Sequence, residues 1–375
     1  MIYLDTAASY PLLPEVKDTL SRAFTEFYAN SASNHFLGEI VSQKIEGVRE
    51  LLADEIGAYP SEIIFTSGAT ESNNIALKST LLHPDFPKDK KHIVTTQIEH
   101  KCMFAICSYL ETLEFDVTYI APNKSGVIEA SKVKEALRPD TALVSVMHVN
   151  NELGTINPIA EIGEACFNAG VLFHSDAAQS FQKVGIDVDE LNVDLMSFSA
   201  HKIGGPKGIG AIYIRDLRQK HLTPVVHGAG QEAGLRGGTV AAPLIIGFGK
   251  AIELFSERYR GFSKNEIKSK FLDLLKASEI NFQVNGLSNS LPHCLSLTLP
   301  KLNSSKLIRA NERILCLAQG SACSSKEIEA SHVLTAIGLN RGLADKTFRI
   351  SFPLDVKEID LNIIVDSIKK ASLEI

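Results

Sequence analysis

The chain opens with a short apolar stretch, Ile2 to Leu4, that predicts a strand, after which Pro11 and Pro14 introduce a helical pattern to about Tyr28. A polar loop, Ala29 to Gly38, leads into a second helix. Its apolar positions Ile40, Val41, Ile45, Val48, Leu51, Leu52 and Ile56 recur at helical spacing and fall on one face. From about Glu62 to Ile214 the rhythm changes, and short apolar runs alternate with helical patterns. That alternation is the signature of βαβ units laid into a mainly parallel sheet. A helix-rich segment, about Pro243 to Glu279, follows. Beyond it lie strand-like runs at Cys294–Leu299, Ile314–Leu317 and Phe348–Phe352, and a closing helix from about Val356 to Ser372.

The residues after each apolar run narrow the picture. Ile63–Phe65 runs into Thr66-Ser67-Gly68-Ala69-Thr70, and Ala142–Met147 into His148-Val149-Asn150-Asn151-Glu152. Val171–Phe173 runs into His174-Ser175-Asp176-Ala177-Ala178-Gln179, and Leu195–Phe198 into Ser199-Ala200-His201-Lys202. Four polar clusters thus follow the carboxyl ends of four predicted parallel strands, where open α/β sheets bind their ligands. His100, after the run Ile93–Gln97, sits at another such end.

Lys202 lies between a buried strand and a turn containing Gly204, Gly205, Gly208 and Gly210, so its side chain is presented rather than packed. It is either a covalent anchor or a surface lysine in a hairpin. The Thr66–Thr70 string, between a strand and a helix, suits an anion at a helix N-terminus, and plain capping by Ser67 or Thr70 explains it equally. Asp176, 26 positions before Lys202, is either a helix cap or a carboxylate holding a ring nitrogen protonated. Taken together the three supply what pyridoxal phosphate needs: a lysine, an acid opposite the pyridine nitrogen and a phosphate cup. There is no GxxxxGK[ST] loop and no dinucleotide-type G-x-G-x-x-G turn.

Composition removes other classes. With 375 residues the chain exceeds the usual size of a single core, and the expected division is a large domain over 14–250 and a small one from 1–13 plus 251–375. A net charge of −6 gives no footprint for direct nucleic-acid binding. The first ten residues carry Asp5 and neither a basic nor an apolar leader region, and no apolar run approaches the ~20 residues that span a bilayer. The expectation is a cytoplasmic protein without membrane contact. Six cysteines without a CxxC pair argue against a zinc ribbon or disulfide scaffold, so no metal is expected. Cys323 stands apart from the others, in the small polar string Gln319-Gly320-Ser321-Ala322-Cys323-Ser324-Ser325.

With these residues in view, the sequence resembles the pyridoxal-phosphate cysteine desulfurases of group I, within the class V aminotransferase group of fold-type I enzymes. The likeness is carried by Tyr3-Leu4-Asp5, Phe65 to Ser72, Glu99-His100-Lys101, Met147 to Glu152, His174 to Ala177 with Gln179, Ser199 with His201-Lys202, Arg236 with Gly238-Thr239, and Gly320-Ser321-Ala322-Cys323. It implies that Lys202 is the Schiff-base lysine and later the α-proton base, that Asp176 partners the pyridine nitrogen, and that His100 stacks on the cofactor. It further implies that Gln179 bonds the cofactor hydroxyl and that Ala69, Thr70, Ser199 and His201 hold the phosphate, joined by Thr239 from a second subunit of a homodimer. Asn151 would contact cofactor or substrate and Arg349 the substrate carboxylate.

The implied reaction converts L-cysteine to L-alanine. The thiolate of Cys323, with His100 or the substrate itself as base, attacks the substrate sulfur and keeps it as a persulfide. The sulfur then passes to an acceptor protein serving iron–sulfur cluster assembly, tRNA thiolation or DNA phosphorothioation. Alternatives are another pyridoxal-phosphate activity, such as selenocysteine lyase or aminotransferase, and a non-enzymatic scaffold relative. The chain departs from the family pattern at Ala200 (usually Gly), Gly205 (usually Tyr) and Gly238 (usually Ser), and it ends at Ile375 without the longer tail by which housekeeping members engage their scaffold.

Overall fold

The structure, a computed structural model, describes residues 1–217, 222–286, 289–318 and 331–373. The strands are β1 (Ile2–Tyr3), β2 (Ile63–Thr66), β3 (His92–Thr96), β4 (Asp116–Ile120), β5 (Thr141–Ser145), β6 (Leu172–Asp176), β7 (Leu195–Ser199), β8 (Gly210–Ile214), β9 (Gln283–Asn285), β10 (Cys294–Thr298), β11 (Leu315–Cys316) and β12 (Thr347–Ser351). Seven of them form one sheet in the order β2-β8-β7-β6-β5-β3-β4. The ladders joining β4, β3, β5, β6 and β7 are parallel, and β8 runs antiparallel to both its neighbours.

Helices cover this sheet, so strands β3, β5, β7 and β8 are buried along their whole length. That is why they read as near-continuous apolar runs instead of alternating ones. The sheet is mainly parallel, as the strand–helix rhythm predicts, and β8 is its exception. Only residues 200–209 separate β7 from β8, too few for a crossover helix, so the chain must turn straight back. β4 was not anticipated, because it is an edge strand whose first four residues are exposed or half-buried.

A second, smaller α/β portion is built on the antiparallel sheet β12-β10-β9. Leu297, Phe348 and Ile350 of that sheet pack with Phe271 from the helix Ile267–Ala277 and with Ile364 and Ile368 from the helix Glu358–Leu373. The run at 314–317 does not join this sheet. Its β11 pairs instead with β1, which ties the N-terminus to the C-terminal third of the chain. The helix Ala242–Ser263 serves both cores: Phe248, Ile252 and Phe255 pack in the larger one and Phe262 in the smaller.

Candidate active site

At the carboxyl ends of β2, β3, β5, β6 and β7 lies a cavity of about 720 Å³. Ala69, Thr70, His100, Asn151, Asp176, Gln179, Ser199, His201, Lys202 and Arg349 all line it. The turn after β2 is brought over β7 by a close backbone approach. A Cβ on Gly210 would come within 2.7 Å of Gly68 Cα and 2.3 Å of the Phe198 carbonyl oxygen, so only glycine fits there. Gly68 itself has φ of 146°, and from it starts the short helix Ala69–Asn74.

Lys202 ends a single turn of 3₁₀ helix, Ala200–Lys202, that follows β7 directly. Its Nζ donates to the carbonyls of Ala7 and Ala8, both at 2.8 Å. Gln179 Nε2 also donates to Ala7 O, at 2.7 Å, and His201 Nδ1 lies 3.3 Å from Ser9 Oγ. Burial, with the charges of Lys202, Lys207 and Lys183 nearby, pushes His201 down to about 4, so the ring is neutral at physiological pH.

Asp176, at the end of β6, is 5% exposed. Its carboxylate accepts from Ala178 N at 2.9 Å and from Asn73 Nδ2 at 2.8 Å. His100 caps the helix Lys101–Glu111, its Nδ1 accepting from Cys102 N at 3.2 Å. Burial lowers the His100 pKa, and the charge of Asp176 opposes that shift.

Arg349, on β12, is also 5% exposed. Its guanidinium donates to the Asn151 carbonyl and pairs with Asp5, while its Nε is buried without a partner. Glu71 accepts from Ser67 N at 2.7 Å and pairs with Arg236 at 2.9 Å. Burial opposes its ionisation, yet these donors hold its carboxyl below the usual range.

Thr239 is exposed and is not among the residues lining the cavity of this chain. Cys323 lies outside the described residues. Asp5, Cys102, Lys207 and His332 line the cavity and were not singled out as site residues from the sequence. Lys207, inside the glycine-rich turn after Lys202, left a readable signal. The other three arrive through contacts too distant in sequence, or too ordinary in residue type, to stand out.

A flat cofactor carrying a phosphate and a carbonyl suits this donor set. A lysine amine, a buried carboxylate and a histidine ring at a helix start all line the cavity. Thr70, Ser199 and Lys207 line the same cavity as the Gly68 turn, and such donors suit an anion.

Residues 2–364 match the family model described as aminotransferase class-V. The chain is 42% identical to the cysteine desulfurase, mitochondrial, of Candida maltosa over 98% of its own length and 77% of that protein. It is 43% identical to the cysteine desulfurase, mitosomal, of Trachipleistophora hominis over 96% of its length and 84% of that protein. Among solved structures it is similar to one described as SspA in complex with cysteine, at 44% identity and a TM-score of 0.84, covering 94% of this chain and 99% of that one. The Candida maltosa and Trachipleistophora hominis relatives are named as mitochondrial and mitosomal proteins, which overturns the cytoplasmic expectation. Charge and hydropathy near an N-terminus report on membrane insertion, and they do not identify the compartment.

Proposed function

The chain belongs to the class-V aminotransferase family, and from that membership together with the cavity we infer how its residues divide the work of a pyridoxal-phosphate-dependent cysteine desulfurase. The enzyme converts L-cysteine to L-alanine and passes the sulfur to an acceptor. When bound, the cofactor withdraws electrons from the substrate's α-carbon and so allows its sulfur to be taken by a nucleophile. Lys202 would anchor the cofactor and would take the substrate's α-proton on Nζ. Asp176 would face the pyridine nitrogen and hold its proton in place. His100 would stack on the ring and Gln179 would bond its hydroxyl, while Ala69, Thr70, Ser199 and His201 would hold the phosphate. Asn151 and Arg349 orient cysteine, Arg349 through the substrate carboxylate. Its present pairing with Asp5 supports that role, since the buried guanidinium already receives one carboxylate.

Cys323 is the proposed sulfur acceptor within the chain. Ala318, the last described residue before it, lines the cavity, and Ser331, the first after it, bonds to Glu152 in the cavity wall. Both ends of that segment therefore start from the site. The working unit we propose is a homodimer in which Thr239 completes the phosphate site of the second copy. The exposed apolar side chains Phe24, Tyr28, Phe36 and Leu37 support a partner surface. The division into domains 14–250 and 1–13 plus 251–375 belongs to the same reading, and its boundary near residue 250 falls within the helix Ala242–Ser263. The final acceptor is a protein that meets Cys323 across an interface and feeds iron–sulfur assembly, tRNA thiolation or DNA phosphorothioation.

The observation that carries this reading is the convergence of Lys202, Asp176 and His100 on one cavity with Arg349. Replacing Lys202 with Ala should abolish the yellow absorbance of bound cofactor and all alanine formation. Turnover of cysteine at the unmodified rate by that variant would overturn the assignment.

A further inference from the structure

Asp176 and His100 are joined by a hydrogen-bond chain whose direction the donors dictate. The Asp176 carboxylate accepts from Asn73 Nδ2 at 2.8 Å, which fixes the orientation of that buried amide. The same nitrogen donates its second hydrogen to Cys102 Sγ, 3.3 Å away. Cys102 Sγ in turn lies 3.0 Å from His100 Nδ1. Burial, with the charge of Asp176, pushes the Cys102 thiol up to about 11, so the sulfur keeps a hydrogen that the histidine nitrogen, 3.0 Å away, can accept. The Cys102 amide reaches the same nitrogen at 3.2 Å, and an amide can only donate. Both neighbours of Nδ1 are therefore donors.

We propose that Asn73 and Cys102 are positioning residues that lock His100 in the tautomer protonated on Nε2, so that His100 presents a hydrogen-bond donor to the cavity. With Nδ1 turned back on its own helix, Nε2 is the edge left for substrate. A neutral ring in this state has no free lone pair to accept the Cys323 proton. It favours an anion opposite Nε2, the thiolate or carboxylate of the substrate, and leaves deprotonation of Cys323 to another base. The remaining charged and titratable groups facing His100 are Asp176, Lys202, Lys101 and His332. The two lysines oppose protonation of the ring and Asp176 favours it. The inference rests on the cofactor-site reading, since His100 matters to the reaction only there.

The test is nitrogen NMR of the holoenzyme labelled in its histidines, with the His100 signals assigned by their loss in His100→Gln. Unmodified protein should show Nδ1 unprotonated and Nε2 protonated above the ring's ionisation. Cys102→Ala removes a donor to the neutral ring and should move the His100 titration to higher pH. Cys102→Ser restores a donor and should move it back. A ring protonated on Nδ1, or a titration unmoved in Cys102→Ala, overturns the proposal. Cofactor absorbance of the same samples reports separately on the site reading, so the two can fail independently.

Discussion

Glu99, the residue before His100, allows a quantitative test of how this cavity is built. The side chain is fully buried. Its Oε1 accepts from Thr96 Oγ1 and from Met147 N, both at 2.9 Å, while Oε2 has no partner. Burial, reinforced by the charge of Asp176 and opposed by the two donors, pushes the carboxyl from 4.5 up to about 8. The unfolded chain releases this proton near 4.5 and the folded protein holds it until about 8. The associated stability is thus complete below 4.5, declines as pH rises between the two values, and is lost above about 8. At ~1.4 kcal/mol per pH unit the decline amounts to roughly 3–5 kcal/mol. Glu99→Gln preserves shape and an acceptor for Thr96 and Met147 but cannot ionise. Urea denaturation followed by far-UV circular dichroism should place variant and parent within about 1 kcal/mol at pH 5, and the variant ahead by roughly 3–5 kcal/mol at pH 8.5. Parallel stability profiles across that range would refute the reasoning.

Two further outcomes concern other parts of the site. Cys323→Ser should leave the cofactor absorbance and its change on adding cysteine intact while abolishing persulfide on the protein, detectable by mass spectrometry after alkylation. Sulfide release at the parent rate would make Cys323 a bystander. Gly205→Ala places a Cβ 2.8 Å from the Ala200 carbonyl oxygen and 3.0 Å from Ala200 Cβ. It should cost about 1–3 kcal/mol in thermal unfolding, and the double change with Ala200→Gly should recover only part of that, because the carbonyl contact remains.

How much of this was legible in the sequence depends on the range of the contact. Lys202, Asp176, His100 and the Thr66–Thr70 string each announce themselves locally, as polar residues at the end of an apolar run. The parallel sheet then brings strand ends together without further information. The antiparallel turn of β8 was less visible, because an apolar run looks the same in either direction. Asp5 was hidden for another reason. Its partner Arg349 is 344 positions away, and an aspartate just after a short N-terminal strand has no local pattern. Asn73 and Cys102 were hidden by chemistry. Each reads as an ordinary helical residue until the orientation of the Asn73 amide gives the pair a direction.

The segment from Asp5 to Ser9 explains why residues from opposite ends of the chain hold one geometry. Its carbonyls at Ala7 and Ala8 receive Lys202, and Ala7 also receives Gln179. Ser9 meets His201, and Asp5 pairs with Arg349. The segment is itself fixed on the other side. β1 lies parallel to β11, Asp5 bridges to Ser351 of β12, and Thr6 Oγ1 donates to the Ser351 carbonyl at 3.1 Å. Lys202 and Arg349, the proposed cofactor anchor and the proposed seat of the substrate carboxylate, are thus spaced by a single backbone strip. Backbone carbonyls cannot change rotamer or titrate, so the strip can hold Lys202 both before and after it receives a proton. Asp5 behaves differently, because it is a carboxylate, and a substrate carboxylate at the proposed Arg349 seat would compete with it for the same guanidinium. On the proposed role of Arg349, arrival of cysteine would exchange one carboxylate for another there and leave the hold on Lys202 in place.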